Sequence, residues 1–261
     1  MKISNRRKYL IAIAVIVLLA VGIGLWFFLG REPDRHKEVA KAIEYTEGLD
    51  TFLVQIYSAG TLTSGNVTQK IQTAGYLYSE SDQSMVSVYV NTKSSTSNAP
   101  EEDFDVTAAM YCDGKQVYDN TDGRSEPMDM SCEEFMRIVS QYGLYSYDRA
   151  MSTDIAYEEN TLEGMNGGQY SVTLTAPADP VLEAYAGILS QTTSEEVRKE
   201  DLKILSAYAV YSIYDEKVVT QTCSFTVEYT TKTGKVVRYE TVNQVTYLDD
   251  FENVEEYIPV T

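Results

Sequence analysis

The sequence is poor in the residues from which most catalytic centres are built. One histidine, His36, and three cysteines, Cys112, Cys132 and Cys223, are spread over 261 residues. A histidine-based triad would have to use His36, which lies a few residues beyond a long apolar run, where the geometry such a triad demands is hard to assemble. No HExxH, no GxSxG and no phosphate-cradling glycine loop occurs. The cysteines are too few for a disulfide scaffold and their spacing fits no zinc pattern. They allow at most one internal bridge, and buried free thiols are the default expectation. No catalytic, cofactor-binding or metal-binding residue is therefore assigned, no cofactor is expected, and the chain reads as a non-enzyme. Positive charge is scarce as well. There are 21 Lys+Arg against 39 Asp+Glu, a formal net charge of −18, which repels nucleic acid and anionic headgroups.

What the chain does have is one uncharged apolar run, YLIAIAVIVLLAVGIGLWFFLG, from Tyr9 to Gly30. At the helical rise it spans roughly 33 Å, enough for a bilayer core of about 30 Å. Lys2, Arg6, Arg7 and Lys8 precede it and no acidic residue does, so the N-terminus is expected to stay in the cytoplasm. A cleaved signal peptide is the competing reading, with Ala20-Val21-Gly22 as small residues at a suitable spacing. Cleavage there would leave IGLWFFLG as a greasy new terminus, so the anchor reading is preferred. The organisation expected is a basic cytoplasmic segment 1–8, a transmembrane signal anchor 9–30, a linker 31–34 and an extracytoplasmic domain 35–261. That makes a single-pass protein of the cell membrane with its C-terminal domain outside the cell.

Beyond the linker, Asp34 can cap a helix from about Arg35 to Glu47, stopped by Gly48, with Val39, Ala42, Ile43 and Thr46 on one face. Alternation of period two then begins. Strands are expected at Phe52 to Ser64, Val67 to Ser79, Gln83 to Lys93, Phe104 to Cys112 and Lys115 to Tyr118. The turns between the first and last pairs fall at Ser64-Gly65-Asn66 and Asp113-Gly114. Lys93 to Asp105 is polar and serine-rich and reads as a loop. Ser131 and Glu134 fit a capping box opening a helix to Tyr142, and Asp179-Pro180 opens another to about Ser190. A short third helix is expected after Thr193, with Glu196 completing its capping box. Gly168 to Thr175, Ala207 to Tyr214, Thr220 to Thr230 and Val236 to Leu248 complete the strands. Tight turns between neighbours imply an antiparallel sheet.

This order of elements resembles the lipoprotein-carrier (LolA/LolB-like) proteins of bacterial envelopes, over most of residues 35 to 259. The best local match is AYAVYSIYDEK at 207–217, then paired strands, then FENVEEYIP at 251–259. The resemblance implies an α+β fold: the N-terminal transmembrane helix followed by a curved antiparallel β half-barrel with helices covering the concave face. It also implies a cavity between sheet and helices for an acyl chain or other apolar ligand. The strand faces 86–90, 170–174 and 223–229 would line it and helices 131–142 and 180–190 would act as lid, while no individual ligand contact is assigned.

Other clusters have plainer readings. Asp119-Asn120-Thr121-Asp122-Gly123 is similar to a calcium loop, but the first ligand position falls on Tyr118, so a polar turn is expected. Glu101, Glu102, Asp103 and Asp105 sit in the serine-rich loop, where catalytic distances are hard to hold. The 21 tyrosines, many at strand positions, suit a half-buried pleated surface. The function expected is a membrane-tethered, extracytoplasmic binding module for an apolar or lipid ligand of the cell envelope. The alternative is an interaction, sensor or scaffold subunit of an envelope protein complex, its interior filled by its own side chains. The volume between helices and sheet separates the two.

Overall fold

Among the described residues every strand joins one antiparallel sheet. The computed structural model describes residues 34–49, 51–80, 85–139, 151–162, 165–177, 179–248 and 258. Eleven strands follow the alternation: β1 (Phe52–Ser64), β2 (Val67–Ser79), β3 (Val86–Thr96), β4 (Phe104–Cys112), β5 (Val117–Asp119), β6 (Glu126–Pro127), β7 (Ser152–Leu162), β8 (Met165–Leu174), β9 (Lys203–Tyr214), β10 (Lys217–Thr230) and β11 (Val236–Leu248). Their spatial order is β6-β5-β4-β3-β2-β1-β11-β10-β9-β8-β7. Two meanders therefore run outward from the middle, and β1 pairs with β11 from Leu53↔Leu248 to Ser64↔Val237 to join them.

Among the described residues three α-helices accompany the sheet: α1 (Arg35–Glu47), α2 (Cys132–Val139) and α3 (Asp179–Thr193), of 13, 8 and 15 residues. This corrects the expected fold class. The α+β half-barrel with an N-terminal transmembrane helix and helices covering a concave face is replaced by a predominantly β chain, one sheet of 11 strands with few helices. The physical reason is the reach of the two-residue alternation. It takes in segments expected to be loop, and the third helix after Thr193 does not form. Ser194 turns to φ 56 and ends α3, and only a 3-10 turn follows, at Lys199–Asp201. Among the described residues no helix is long and apolar enough to cross a membrane. The apolar run 9–30, the linker residues 31–33, the helix end at 140–142 and most of 251–259 lie outside the described residues.

Alternation sets the two faces. In β10, Gln221, Cys223, Phe225, Val227 and Tyr229 are buried, while Thr222, Ser224, Thr226 and Glu228 between them are half-exposed. The buried set continues through the register to Ala207, Ala209 and Tyr211 of β9 and to Val237, Tyr239 and Thr241 of β11. On this face α1 contributes Val39, Ala42 and Ile43, and α3 contributes Val181, Leu182, Tyr185 and Leu189. Further along the same face, α2 places Phe135 and Val139 over Val54, Ile56, Leu77, Val86, Val88 and Val90. On the opposite face Leu53 and Tyr78 enclose Ile258 in a small cluster, and Tyr57, Tyr208 and Val242 are exposed there.

Gly75 of β2 marks where the strands come closest. It pairs with Ile56 and Val90, and an added Cβ would fall within 3.0 Å of the β3 backbone, which cannot step aside as a side chain can. Gly75→Ala is expected to lower the unfolding free energy by about 1–3 kcal/mol through overpacking, read as a fall in the urea midpoint at unchanged slope.

Candidate functional site

The space beneath the helices is occupied by the protein's own side chains. Tyr185 projects from α3 into the sheet, 6% exposed. Its ring meets Tyr239 edge-on, centroids 5.2 Å apart at 89°, and Phe225 at 6.3 Å and 60°. Its hydroxyl lies 2.5 Å from Oγ1 of Thr241 and accepts from Nδ2 of Asn243 at 3.5 Å. Burial pushes its pKa above the ordinary tyrosine value. Behind it, the Gln221 amide donates to the Tyr211 hydroxyl and to Cys223 Sγ, each at 3.3 Å.

The α1 side is sealed the same way. Thr46 is fully buried, donates back to the Ala42 carbonyl at 2.7 Å and accepts the Val218 backbone N–H at 3.0 Å, so the helix end is tied to β10. The Tyr170 hydroxyl donates to the Glu38 carboxylate at 2.9 Å, and Arg35 reaches the same oxygen at 3.0 Å. Burial first, and the Glu38 carboxylate second, raise the Tyr170 pKa to about 12. Val39, Ala42, Ile43 and Thr46, which share one face of α1 in the sequence, are all packed inward. The strand faces 86–90, 170–174 and 223–229 also turn toward the helices, but they meet side chains there.

An open cleft of about 610 Å³ lies instead at one end of β9 and β10. Glu196, Arg198, Asp201, Lys203, Glu228, Tyr229, Thr230 and Lys232 line it. The segment after α3 is held there by Glu195, whose carboxylate accepts the Tyr229 hydroxyl at 2.8 Å and the Lys232 backbone N–H at 3.1 Å. Ser190 fastens the same segment, accepting the Val197 N–H at 2.9 Å and donating to its carbonyl at 3.3 Å. Charges in the cleft are largely matched, Arg198 with Asp201 at 3.6 Å and Lys203 with Glu228 at 3.8 Å. Such a lining suits polar contacts and offers nothing to an acyl chain. No motif pointed to it, because its residues come from three segments with ordinary surface composition. Glu195→Gln, which weakens the acceptor for Tyr229 and Lys232, is expected to speed amide exchange at Lys232 with little loss of global stability, read by hydrogen exchange.

The other singled-out residues are structural here. Cys112 and Cys132 form a disulfide that ties α2 to β4, which corrects the default expectation of free thiols for that pair. Cys223 stays a buried thiol. Asp119 accepts the Thr121 N–H at 2.8 Å and Thr121 accepts the Ala109 N–H at 3.1 Å, so the 119–123 segment is a hydrogen-bonded turn against β4. Asp103 accepts the Thr96 N–H at 2.6 Å. Asp105 bonds Asn91 at 2.8 Å and Lys93 at 3.0 Å, which holds its carboxyl below the usual range. These two carboxylates thus brace the β3–β4 hairpin. Among the described residues no cluster of His, Cys, Asp and Glu side chains is arranged to hold a metal ion. His36 sits in the first turn of α1.

Burial of neutral acids predicts an alkaline weakness. Cys223 is pushed up to about 12 from 9.0 by burial, and Tyr239 to about 12 from 10.0. Between those values the unfolded chain has lost a proton that the folded one keeps. Stability is therefore full below the unfolded values and falls as pH rises toward 12, by about 1.4 kcal/mol per pH unit for each such group. Urea midpoints should begin to drop near pH 9, and Cys223→Ala should move that onset up to near pH 10.

No family model matches the sequence. Among curated proteins none matches. A solved structure of a DUF1329 family protein from Desulfovibrio piger is similar at 10% identity and a TM-score of 0.22, covering 85% of this chain and 95% of that one. An N-terminal dehydratase from the difficidin assembly line is similar at 9% identity and a TM-score of 0.13, covering 84% and 85%. Scores this low carry neither a fold nor an activity over to this chain.

Proposed function

We propose that the chain is a non-enzymatic protein-interaction module of the cell envelope, held at the membrane by residues 9–30, with the domain outside the cell. The observation that carries this reading is the filled interior. Tyr185, Tyr239, Phe225 and Leu189 are buried together between α3 and the sheet, where an apolar guest would lie. Of the two roles the sequence allows, interaction subunit and lipid binder, packing of this kind supports the first. The disulfide between Cys112 and Cys132 supports an oxidising compartment. The cleft lined by paired charges supports polar contact with another macromolecule rather than partition of a hydrocarbon.

A photoreactive fatty acid tests the reading on the full chain in lipid nanodiscs. After irradiation, peptide mass spectrometry locates the adducts. Adducts confined to the apolar run 9–30 are expected. Adducts on α2, α3 or the strands beneath them would overturn the interaction role in favour of a lipid binder.

A further inference from the structure

The two edges of the sheet differ. β6 is two residues long and ends in Pro127, which has no N–H to donate. Shortness and proline are two of the ways a sheet closes an edge to foreign strands. β7, at the opposite edge among the described strands, runs for 11 residues. Asp154, Ala156, Glu158, Glu159 and Asn160 along it are exposed. Its one irregularity, a register shift between Ser152 and Asp154, lies at its start and leaves the rest in regular pairing with β8.

Backbone direction along β7 follows from two observations. The Ile155 N–H donates to Oδ1 of Asp154 at 3.0 Å, on the side away from the ladder. The Glu158 carbonyl lies against β8, where a Cβ added to Gly168 would come within 3.0 Å of it. In an antiparallel pair, hydrogen-bonding residues alternate between one neighbour and the other. Tyr157 and Glu159 therefore present their backbone groups outward, and Ile155 its carbonyl, its N–H being held by Asp154. Tyr157 is fixed from behind, its hydroxyl donating to the Gly167 carbonyl at 3.3 Å and the Arg35 guanidinium standing 4.0 Å above its ring. The edge is ordered before any partner arrives.

Charge then selects the partner. Asp154 and Glu158 flank the outward residues on one face of the strand and Glu159 lies on the other. A second copy of β7 would set carboxylates against carboxylates, which is unfavourable for cross-strand neighbours. We propose that β7 accepts an extended, lysine- or arginine-bearing segment of a partner protein as an added antiparallel strand. This rests on the reading of the chain as an interaction module and names the edge that module uses.

The test uses the full chain in neutral detergent and a fluorescein-labelled heptapeptide of alternating lysine and valine, followed by fluorescence anisotropy. A second heptapeptide carries N-methyl groups on alternate backbone amides, which keeps the charge and removes strand pairing. The plain peptide should bind and the N-methylated one should bind at least about tenfold more weakly, since two net hydrogen bonds suffice for that. Glu159→Pro, which deletes an outward N–H and leaves the β8 ladder intact, should weaken the plain peptide about as much. Glu159→Gln should cost only a few-fold, as expected for one exposed charge. Equal binding of the two peptides, or equal binding to the Glu159→Pro chain, would reduce the effect to charge attraction and overturn strand addition. Failure of the plain peptide to bind would overturn it too. The fatty-acid labelling pattern is independent of all these outcomes, so the edge can fail while the interaction reading stands.

Discussion

Replacing Tyr185 by alanine is expected to lower the unfolding free energy by about 3–5 kcal/mol, the cost of deleting a large buried aromatic ring. The ring is wedged between α3 and the centre of the sheet, against Tyr239 and Phe225. Little can move in to replace it, because Leu189 and Val227 beside it are already fully enclosed. Tyr185→Phe should cost less, about 1–3 kcal/mol, since it removes the hydroxyl and leaves the buried Thr241 short of its partner at 2.5 Å. Urea denaturation followed by circular dichroism separates the two. The alanine variant also bears on function. It hollows an apolar space that the natural chain fills, and such a space stays dry and binds small aromatic molecules. Benzene should raise the melting temperature of Tyr185→Ala and leave the natural chain unchanged. An equal rise in both would mean that a cavity already exists.

Removing the bridge between Cys112 and Cys132 is expected to cost about 3 kcal/mol, from the loop it closes in the unfolded chain. The two residues are 20 apart, and the loop between them carries β5 and β6 and leads into α2, which opens at Cys132. Helix α2 has 8 residues, too few to persist by itself. Its hold on the sheet is Phe135, Val139 and the bridge. The double variant Cys112→Ala, Cys132→Ala should therefore lose protection first across 132–139, with the α3 side of the sheet unaffected. Reductant should lower the urea midpoint of the natural chain to that of the double variant and leave the variant where it is. No effect of reductant on the natural chain would show that the bridge does not form in solution.

Much of the sheet was legible in the sequence, for reasons that differ along it. β10 and β11 announce themselves because one face is buried by helices and the other is more exposed, so apolar and polar residues alternate along much of both strands. The turns at Gly65 and Gly234 require φ of 63° and 80°, and glycine marks them. β7 escaped notice because an edge strand buries little. Only Ile155 and Tyr157 mark its inner face, between Asp154, Glu158 and Glu159. The serine-rich stretch after Lys93 has the composition of a loop, yet β3 runs on to Thr96 because Gln69, Lys70 and Ile71 of β2 pair with it. Neighbours there override composition. The disulfide depends on bringing β4 and α2 together, which no spacing rule reveals. The cleft is invisible for the same reason: the capping-box spacing after Thr193 points to Glu196, while the carboxylate that shapes the cleft is Glu195. The fold class failed on proportion: the pairing of β7 and of the far end of β3 takes segments without a strand signal into one sheet, which outweighs the few helices.

The seam between β1 and β11 carries a consequence for biosynthesis. Leu53 and Leu248 are partners in space and lie at opposite ends of the described strands in the chain. A ribosome delivers β1 long before β11, so β1 must wait with one flank bare while residues 65–235 follow it. Pairings of such long range are slow to form and expose the nascent chain to sticking. Truncation before Val236 should therefore yield an aggregating product rather than a smaller soluble one, and a holdase would find its client in the unfinished half.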